Sequence, residues 1–168
     1  TVYCTRYNTM LDSLHLAQKS LLATKQTKSN EKFAIVSLHR FETIVKKEKM
    51  EMVVTEIKKI SNKIKLFFIL HPPTRVSLKK NRLYDSLVEN PRCILLPRQG
   101  FFEFHELLGK AEFLVTDGGS NQEECFYLGT PCLLFRSETE RSEGIGGNVV
   151  ISNFDPTIIE NFVLNYNS

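Results

Sequence analysis

The sequence lacks the short signatures by which many enzymes declare their chemistry. It has no GxSxG elbow, no HExxH, no Walker A lysine and no GxGxxG fingerprint, which removes the commonest nucleophile, zinc and nucleotide motifs. No run approaches the ~18 apolar residues of a membrane span, and no signal-peptide pattern opens the chain, so no membrane partner is expected. The four cysteines, Cys4, Cys93, Cys125 and Cys132, form no CxxC pair and have no His at zinc-finger spacing, so neither a metal site nor a disulfide framework is indicated. Cys125 and Cys132 flank an apolar segment and read as buried thiols in a reducing, cytoplasmic setting. An excess of charge is also missing. The 22 basic and 19 acidic side chains leave a net charge of +3, and the basic residues are scattered, so no nucleic-acid footprint is expected.

What is present is a regular alternation of apolar runs and amphipathic stretches. At 168 residues there is room for one domain with a sizeable core. Met10, Leu11, Leu14, Ala17, Leu21 and Leu22 recur at helical spacing, with Asn8 or Thr9 available as N-cap, and predict a lead-in helix to Ala23. Thr24 to Lys32 is polar and aperiodic, a linker after which the compact domain is expected to start. Phe33 to Leu38, Ile64 to Leu70, Cys93 to Leu96, Phe113 to Val115, Pro131 to Phe135 and Val149 to Ser152 are short apolar runs, the pattern of strands buried on both faces. Between them lie helical patterns around Met50 to Ile60, Leu78 to Val88, Phe101 to Lys110 and Asn121 to Leu128. The last of these stops at Gly129, a C-cap glycine. A terminal helix starts at Pro156 behind the cap Asp155. After Leu70, Pro72 and Pro73 forbid a continued ladder and read as a sharp turn. This order predicts a Rossmann-like, doubly wound parallel α/β sheet.

Such sheets bind ligands at the carboxyl ends of their strands, where every polar cluster of this chain falls. His39 with Arg40 and Glu42, His71, Arg98 with Gln99, Asp117 to Ser120, and Arg136 to Arg141 are all candidates for one pocket. In the stretch Phe113 to Glu124 a strand opens into Gly118, Gly119 and Ser120 and restarts as a helix. Backbone N–H groups and a positive helix end there suit a phosphate. A plain tight turn with Ser120 as N-cap satisfies the same residues. Glu124, one turn further, can accept two hydrogen bonds from a ribose diol, or be a solvated charge near a helix start. Glu123 points elsewhere on that helix and is read as solvated. His39 beside Arg40 can contact an anionic leaving group or relay a proton, although a lone His is more often structural. Arg141 can clamp a phosphate or simply be a loop charge, and Phe104 can stack on a base or belong to the core. No pair of carboxylates stands out as general acid and base.

The runs IVSLHRFET, ILHPP, RQGFFEF and TDGGSNQEECFYLGTPCLLFRSETERSEG, followed by Gly146, Gly147 and Asn148, resemble the C-terminal half of the UDP-N-acetylglucosamine 2-epimerases. The similarity runs from about Phe33 to Ser152, with Asn8, Thr9, Met10 and Asp12 similar to the segment preceding that half. The resemblance implies one domain of a glycosyltransferase B fold, divided as residues 1–30 (lead-in helix and linker) and 31–168 (Rossmann-like UDP-binding domain), with the N-terminal catalytic domain absent. It implies UDP contacts by Arg40, Gln99, Phe104, Gly118, Gly119, Ser120, Glu124 and Arg141, a catalytic role for His39 beside the diphosphate, and a possible second UDP-N-acetylglucosamine site at His71. No cofactor and no metal are implied. The activity implied is interconversion of UDP-N-acetylglucosamine and UDP-N-acetylmannosamine by elimination and re-addition of UDP, or its hydrolysing variant, in cell-envelope polysaccharide biosynthesis, by a homodimer when full-length. A non-catalytic nucleotide-sugar-binding module or a glycosyltransferase donor domain are the alternatives. Two motifs depart from the family: its HRREN reads His39-Arg40-Phe41-Glu42-Thr43, and its DSGG turn reads Asp117-Gly118-Gly119-Ser120. Because the family's acid and base carboxylates lie in the other half, the isolated chain is expected to bind UDP weakly and not to epimerise.

Overall fold

The structure, a computed structural model, describes residues 8–23 and 31–167. The expected linker from Thr24 falls for the most part outside the described residues, as does Cys4. In chain order the elements are α1 (Thr9–Ala23), β1 (Phe33–Ser37), α2 (Phe41–Ile44), α3 (Lys47–Ser61), β2 (Lys65–Leu70), α4 (Pro72–Lys80), α5 (Asp85–Val88), β3 (Cys93–Pro97), α6 (Phe101–Leu108), β4 (Leu114–Thr116), α7 (Gly119–Leu128), β5 (Cys132–Leu134), β6 (Val149–Ile151) and α8 (Pro156–Asn165). The six strands form one sheet in the order β3-β2-β1-β4-β5-β6, with every pairing parallel. This is the doubly wound Rossmann-like arrangement expected from the alternation.

Alternation along the strands sends side chains to two separate cores. Ala34, Val36, Leu66, Phe68, Val115 and Leu133 join Met50, Val53, Ile57 and Ile60 of α3, Leu78 of α4 and Ile159 and Phe162 of α8 on one face. Phe33, Ile35, Ile69, Leu114, Cys132 and Leu134 meet Leu108 of α6 and Cys125 of α7 on the other. All five β1 residues are buried, which is why the run Phe33–Ser37 is continuous rather than alternating. The lead-in helix is not an appendage. α1 packs on α6 and α7 with Leu14 and Ala17 buried, and Asn8 caps it by accepting from the N–H groups of Met10 (2.9 Å) and Leu11 (3.2 Å).

Two local expectations are corrected. Pro72 and Pro73 do end β2, but they occupy the first turn of α4, where a missing N–H costs nothing and a fixed φ favours the helix. The single helix expected over Leu78 to Val88 is two, α4 and α5, parted where Arg82 takes φ 57. A short helix not anticipated, α2, follows β1 and buries Thr43 and Ile44.

Gly129 closes α7 with φ 70, and the N–H groups of Thr130 and Gly129 return to the carbonyls of Cys125 (3.0 Å) and Phe126 (3.3 Å), a Schellman closure. A Cβ at Gly129 would meet nothing within 4 Å, so substitution there tests backbone strain alone. Gly129→Ala is expected to lower stability by about 1 kcal/mol and Tm by roughly 2–4 °C, with Gly129→Asn milder. A thermal melt in which Ala costs nothing would contradict the left-handed cap.

Candidate functional site

The strand order reverses between β1 and β4, and the chain leaves both strands on the same side there. In open sheets of this class the crevice at such a switch point is the binding site. The two exits are tied by one carboxylate. Asp117, with no exposed surface, accepts hydrogen bonds from the backbone N–H of His39 (3.0 and 3.2 Å) and of Arg40 (2.9 Å). Thr116 adds a second tie, its hydroxyl donating to the Ser37 carbonyl at 2.9 Å.

Around this point lies a cavity of about 460 Å³, within the range of roughly 300–1,000 Å³ that holds small ligands. His39, Arg40, His71, Gln99, Phe104, Gly118, Gly119, Ser120, Glu124 and Arg141 all line it, with Ser37, Arg98, Phe101, His105, Asn121 and Glu140. The ten site candidates are therefore brought together, whereas Glu42 and Arg136, from the same polar clusters, line a separate, smaller cavity beside Thr43 and Phe154.

Their individual settings differ from the sequence picture in several ways. Gly118, not Ser120, is the N-cap of α7, and it has no side chain to cap with. Its own N–H is used, donating to the Thr116 hydroxyl at 3.1 Å. The donors left for an anion are the first-turn N–H groups of Gly119, Ser120 and Asn121, which by position have no intrahelical carbonyl. Ser120 is exposed at the cavity lip. A Cβ on Gly118 would stand 3.2 Å from His39 Cε1, and one on Gly119 would stand 2.9 Å from Arg141 Nε. The two glycines let an imidazole and a guanidinium close over the helix start.

His39 places Nδ1 3.7 Å from Asp117 and stacks on His71 with ring centroids 4.5 Å apart. Burial lowers the His71 pKa below the ordinary imidazole value, and the neighbouring His39 and Arg98 lower it further. Arg40 stands at the mouth beside Glu42 (3.4 Å) and Glu140 (3.7 Å). Gln99 turns its amide back on the Pro97 carbonyl at 2.7 Å, and half-buried Phe104 both lines the cavity and packs on the second core.

Glu124 is buried. Its Oε2 accepts from Asn121 at 2.9 Å and its Oε1 faces His105 Nε2 at 3.7 Å. Burial raises its pKa above the ordinary carboxylate range, an effect that Asn121 and His105 only partly offset. Glu123, read from the sequence as solvated, is also buried. It pairs with Arg141 and accepts from Asn8 at 2.8 Å. Arg141 is thus anchored through Nη1, while its buried Nε has no hydrogen-bond partner among the described residues. Gln122 was overlooked altogether. Buried, it donates to the carbonyls of Arg141 (3.2 Å) and Glu143 (2.9 Å) and accepts from Thr139 (2.6 Å), fastening the loop after β5 to α7.

A parallel sheet in this order, with its cavity at the switch point, is a Rossmann-like domain of the glycosyltransferase B type. An E. coli heptosyltransferase solved with ADP has the same fold, with TM-score 0.60 at 16% identity over 90% of this chain and 48% of its own. The chain belongs to the UDP-N-acetylglucosamine 2-epimerase family, which matches residues 6–164. It is 33% identical over 166 residues to a UDP-N-acetylglucosamine 2-epimerase of Methanococcus maripaludis, covering 93% of this chain and 45% of that one. To the Methanocaldococcus jannaschii enzyme it is 32% identical over 136 residues, covering 78% and 37%. A structure of the latter in complex with UDP-GlcNAc and UDP superposes with TM-score 0.77 at 31% identity, over 93% of this chain and 45% of that chain. The chain spans less than half the length of these relatives.

A buried carboxyl whose folded pKa is raised destabilises the fold above that pKa, and the penalty fades as pH falls toward the ordinary carboxylate range of about 4.3. Glu124→Gln keeps an acceptor for Asn121 and is expected to raise Tm at pH 7.5. The gap to the unsubstituted chain should close as pH is lowered. Melts showing a constant or widening gap would contradict the buried, protonation-favouring setting of Glu124.

Proposed function

We propose that this chain is the UDP-binding half of a UDP-N-acetylglucosamine 2-epimerase, which interconverts UDP-N-acetylglucosamine and UDP-N-acetylmannosamine by eliminating UDP and adding it back with C2 inverted. The observation that carries this reading is the convergence of the ten candidate residues on one cavity at the switch point, in a chain 31% identical to a relative solved with UDP-GlcNAc and UDP.

In this reading the diphosphate sits on the first turn of α7, where free N–H groups and the positive helix end favour an anion. Arg141, held by Glu123, turns its unpartnered Nε toward that charge. His39, oriented through its backbone by Asp117, stands beside the bond that breaks and stabilises the departing UDP. Glu124 accepts both hydroxyls of the ribose, and Phe104 and Gln99 frame the uracil. His71, stacked on His39, stands where a second UDP-N-acetylglucosamine would meet the first. The groups that move the C2 proton belong to the half of the enzyme beyond this chain. Full-length, the protein is read as a cytoplasmic homodimer serving cell-envelope polysaccharide synthesis. The isolated chain binds and does not turn over. A hydrolysing enzyme releasing free N-acetylmannosamine would use the same half.

Calorimetric titration of the chain with UDP and UDP-N-acetylglucosamine is expected to show weak, saturable binding of both. Glu124→Ala, which removes charged hydrogen bonds, should weaken UDP by about tenfold or more. Absence of UDP binding at millimolar ligand would overturn the reading, and turnover of UDP-N-acetylglucosamine by the chain alone would overturn the division of labour.

A further inference from the structure

Facing Glu124 from the neighbouring helix is a histidine to which neither the sequence motifs nor the proposed function assign a role. His105 on α6 is 3% exposed, and its Nδ1 lies 2.7 Å from the carbonyl oxygen of Phe101. A carbonyl only accepts, so Nδ1 carries the proton, and the other nitrogen, Nε2, is the one free to gain or lose one. Nε2 is buried, has no hydrogen-bond partner among the described residues, and points at Glu124 Oε1 across 3.7 Å. Packing of the imidazole between Phe101 (4.2 Å between centroids) and Phe104 (5.5 Å) leaves it little freedom to turn away. An orphaned buried nitrogen aimed at a carboxyl is costly in a core unless it has a task.

We propose that His105 is the positioning residue that makes Glu124 a reader of ribose, the two side chains sharing one proton between Nε2 and Oε1. The proposal rests on the UDP-binding reading above. A vicinal diol donates two hydrogen bonds and is best met by a carboxylate, which only accepts, whereas a neutral carboxyl must spend one oxygen as a donor. In the empty site the shared proton can reside on Glu124, where burial favours the neutral form. When a ribose enters, the proton passes to His105 Nε2, the carboxylate turns fully acceptor, and the imidazolium closes on Oε1 while Asn121 holds Oε2. The other charges near Glu124 oppose one another, Glu123 resisting its ionisation and Arg141 favouring it. Among the described residues of α1, which packs on both helices, Asp12, His15 and Lys19 are exposed. His105 is thus the cation that the pair can create on demand.

The test compares UDP with 2′-deoxyuridine diphosphate, which lacks one of the two hydroxyls, by calorimetry of the full chain from pH 6 to 8.5 in buffers of different ionisation enthalpy. The unsubstituted chain is expected to prefer UDP by about tenfold and to exchange no proton with the buffer on binding, because the proton passes within the pair. In His105→Leu and in His105→Gln, which keeps a polar amide should leucine fail to fold, the preference should shrink to about twofold or less, and UDP binding should release a proton to the buffer because Glu124 has lost its acceptor. If both variants keep the preference and the proton balance, His105 has no such role. If the unsubstituted chain binds neither nucleotide, the UDP reading itself falls and takes this proposal with it. That result is distinct from UDP binding with unaltered discrimination.

Discussion

Everything at the cavity edge of this domain depends on the carboxylate of Asp117. It directly follows β4 with no exposed surface, and it accepts two backbone N–H groups from the segment that leaves β1. A buried carboxylate survives only where donors satisfy it, and those two N–H groups in turn have no strand to pair with once the chain has left the sheet. Each side solves the other's problem. The result is that two loops, 78 residues apart in sequence, are fixed at a set separation at the point where strand order reverses. Shortening this side chain would leave its partners buried and unpaired; adding bulk would push apart the walls of the cavity.

From that fixed point the rest of the site is built by close approach and by buried polar ties. Gly118 and Gly119 leave room for His39 and Arg141 to lie against the start of α7, which a Cβ at either position would obstruct. Gln122, Glu123 and Glu124 follow in succession and are all buried, an arrangement that no solvent-facing helix would tolerate. It is possible because residues 122–125 are enclosed by protein, while Ser120 and Phe126 of the same helix stay exposed. Gln122 grips the loop after β5, Glu123 holds Arg141 and the cap residue Asn8 of α1, and Glu124 faces the cavity and α6. The lead-in helix therefore belongs to the site's support, packing on α6 and α7 and donating from Asn8 to Glu123.

The sheet was legible in the sequence because each buried strand is a continuous apolar run and each helix between them keeps one apolar face; local periodicity is enough for that. The rim of the cavity was legible for a related reason, since polar residues directly after such runs can lie only at the strand ends. What escaped was decided by partners distant in sequence. Nothing near Glu123 distinguishes it from an exposed glutamate; its burial follows from Arg141 and Asn8, 18 and 115 positions away. His105 sits in an amphipathic helix where any buried apolar residue would fit the pattern, and only the neighbouring helix gives its Nε2 a direction. Pro72 and Pro73 were misread for another reason. Two prolines are equally compatible with a turn and with a helix start, and the choice fell to Thr74 and Ser77, whose hydroxyls donate to the Leu38 and Ile44 carbonyls and draw the segment against α2.

The disposition of carboxylates also bears on the proposed function. Glu124 and Glu140 are the acidic side chains on the cavity wall, and each is engaged, Glu124 with Asn121 and facing His105, Glu140 with Arg136 (2.8 Å) and Arg40 (3.7 Å). The Glu140 carboxyl is held below its ordinary pKa by its backbone hydrogen bond and by those arginines, the opposite of what a base poised near neutrality requires. Asp117 is sealed behind the backbone it supports. The wall is instead rich in donors and cations: the first turn of α7, Arg40, Arg98, Arg141, and the stacked pair His39 and His71. A surface of that composition is suited to receive negative charge as it develops on a departing diphosphate, and poorly suited to remove a proton from carbon. That contrast is the physical reason for reading the chain as the half that holds the leaving group.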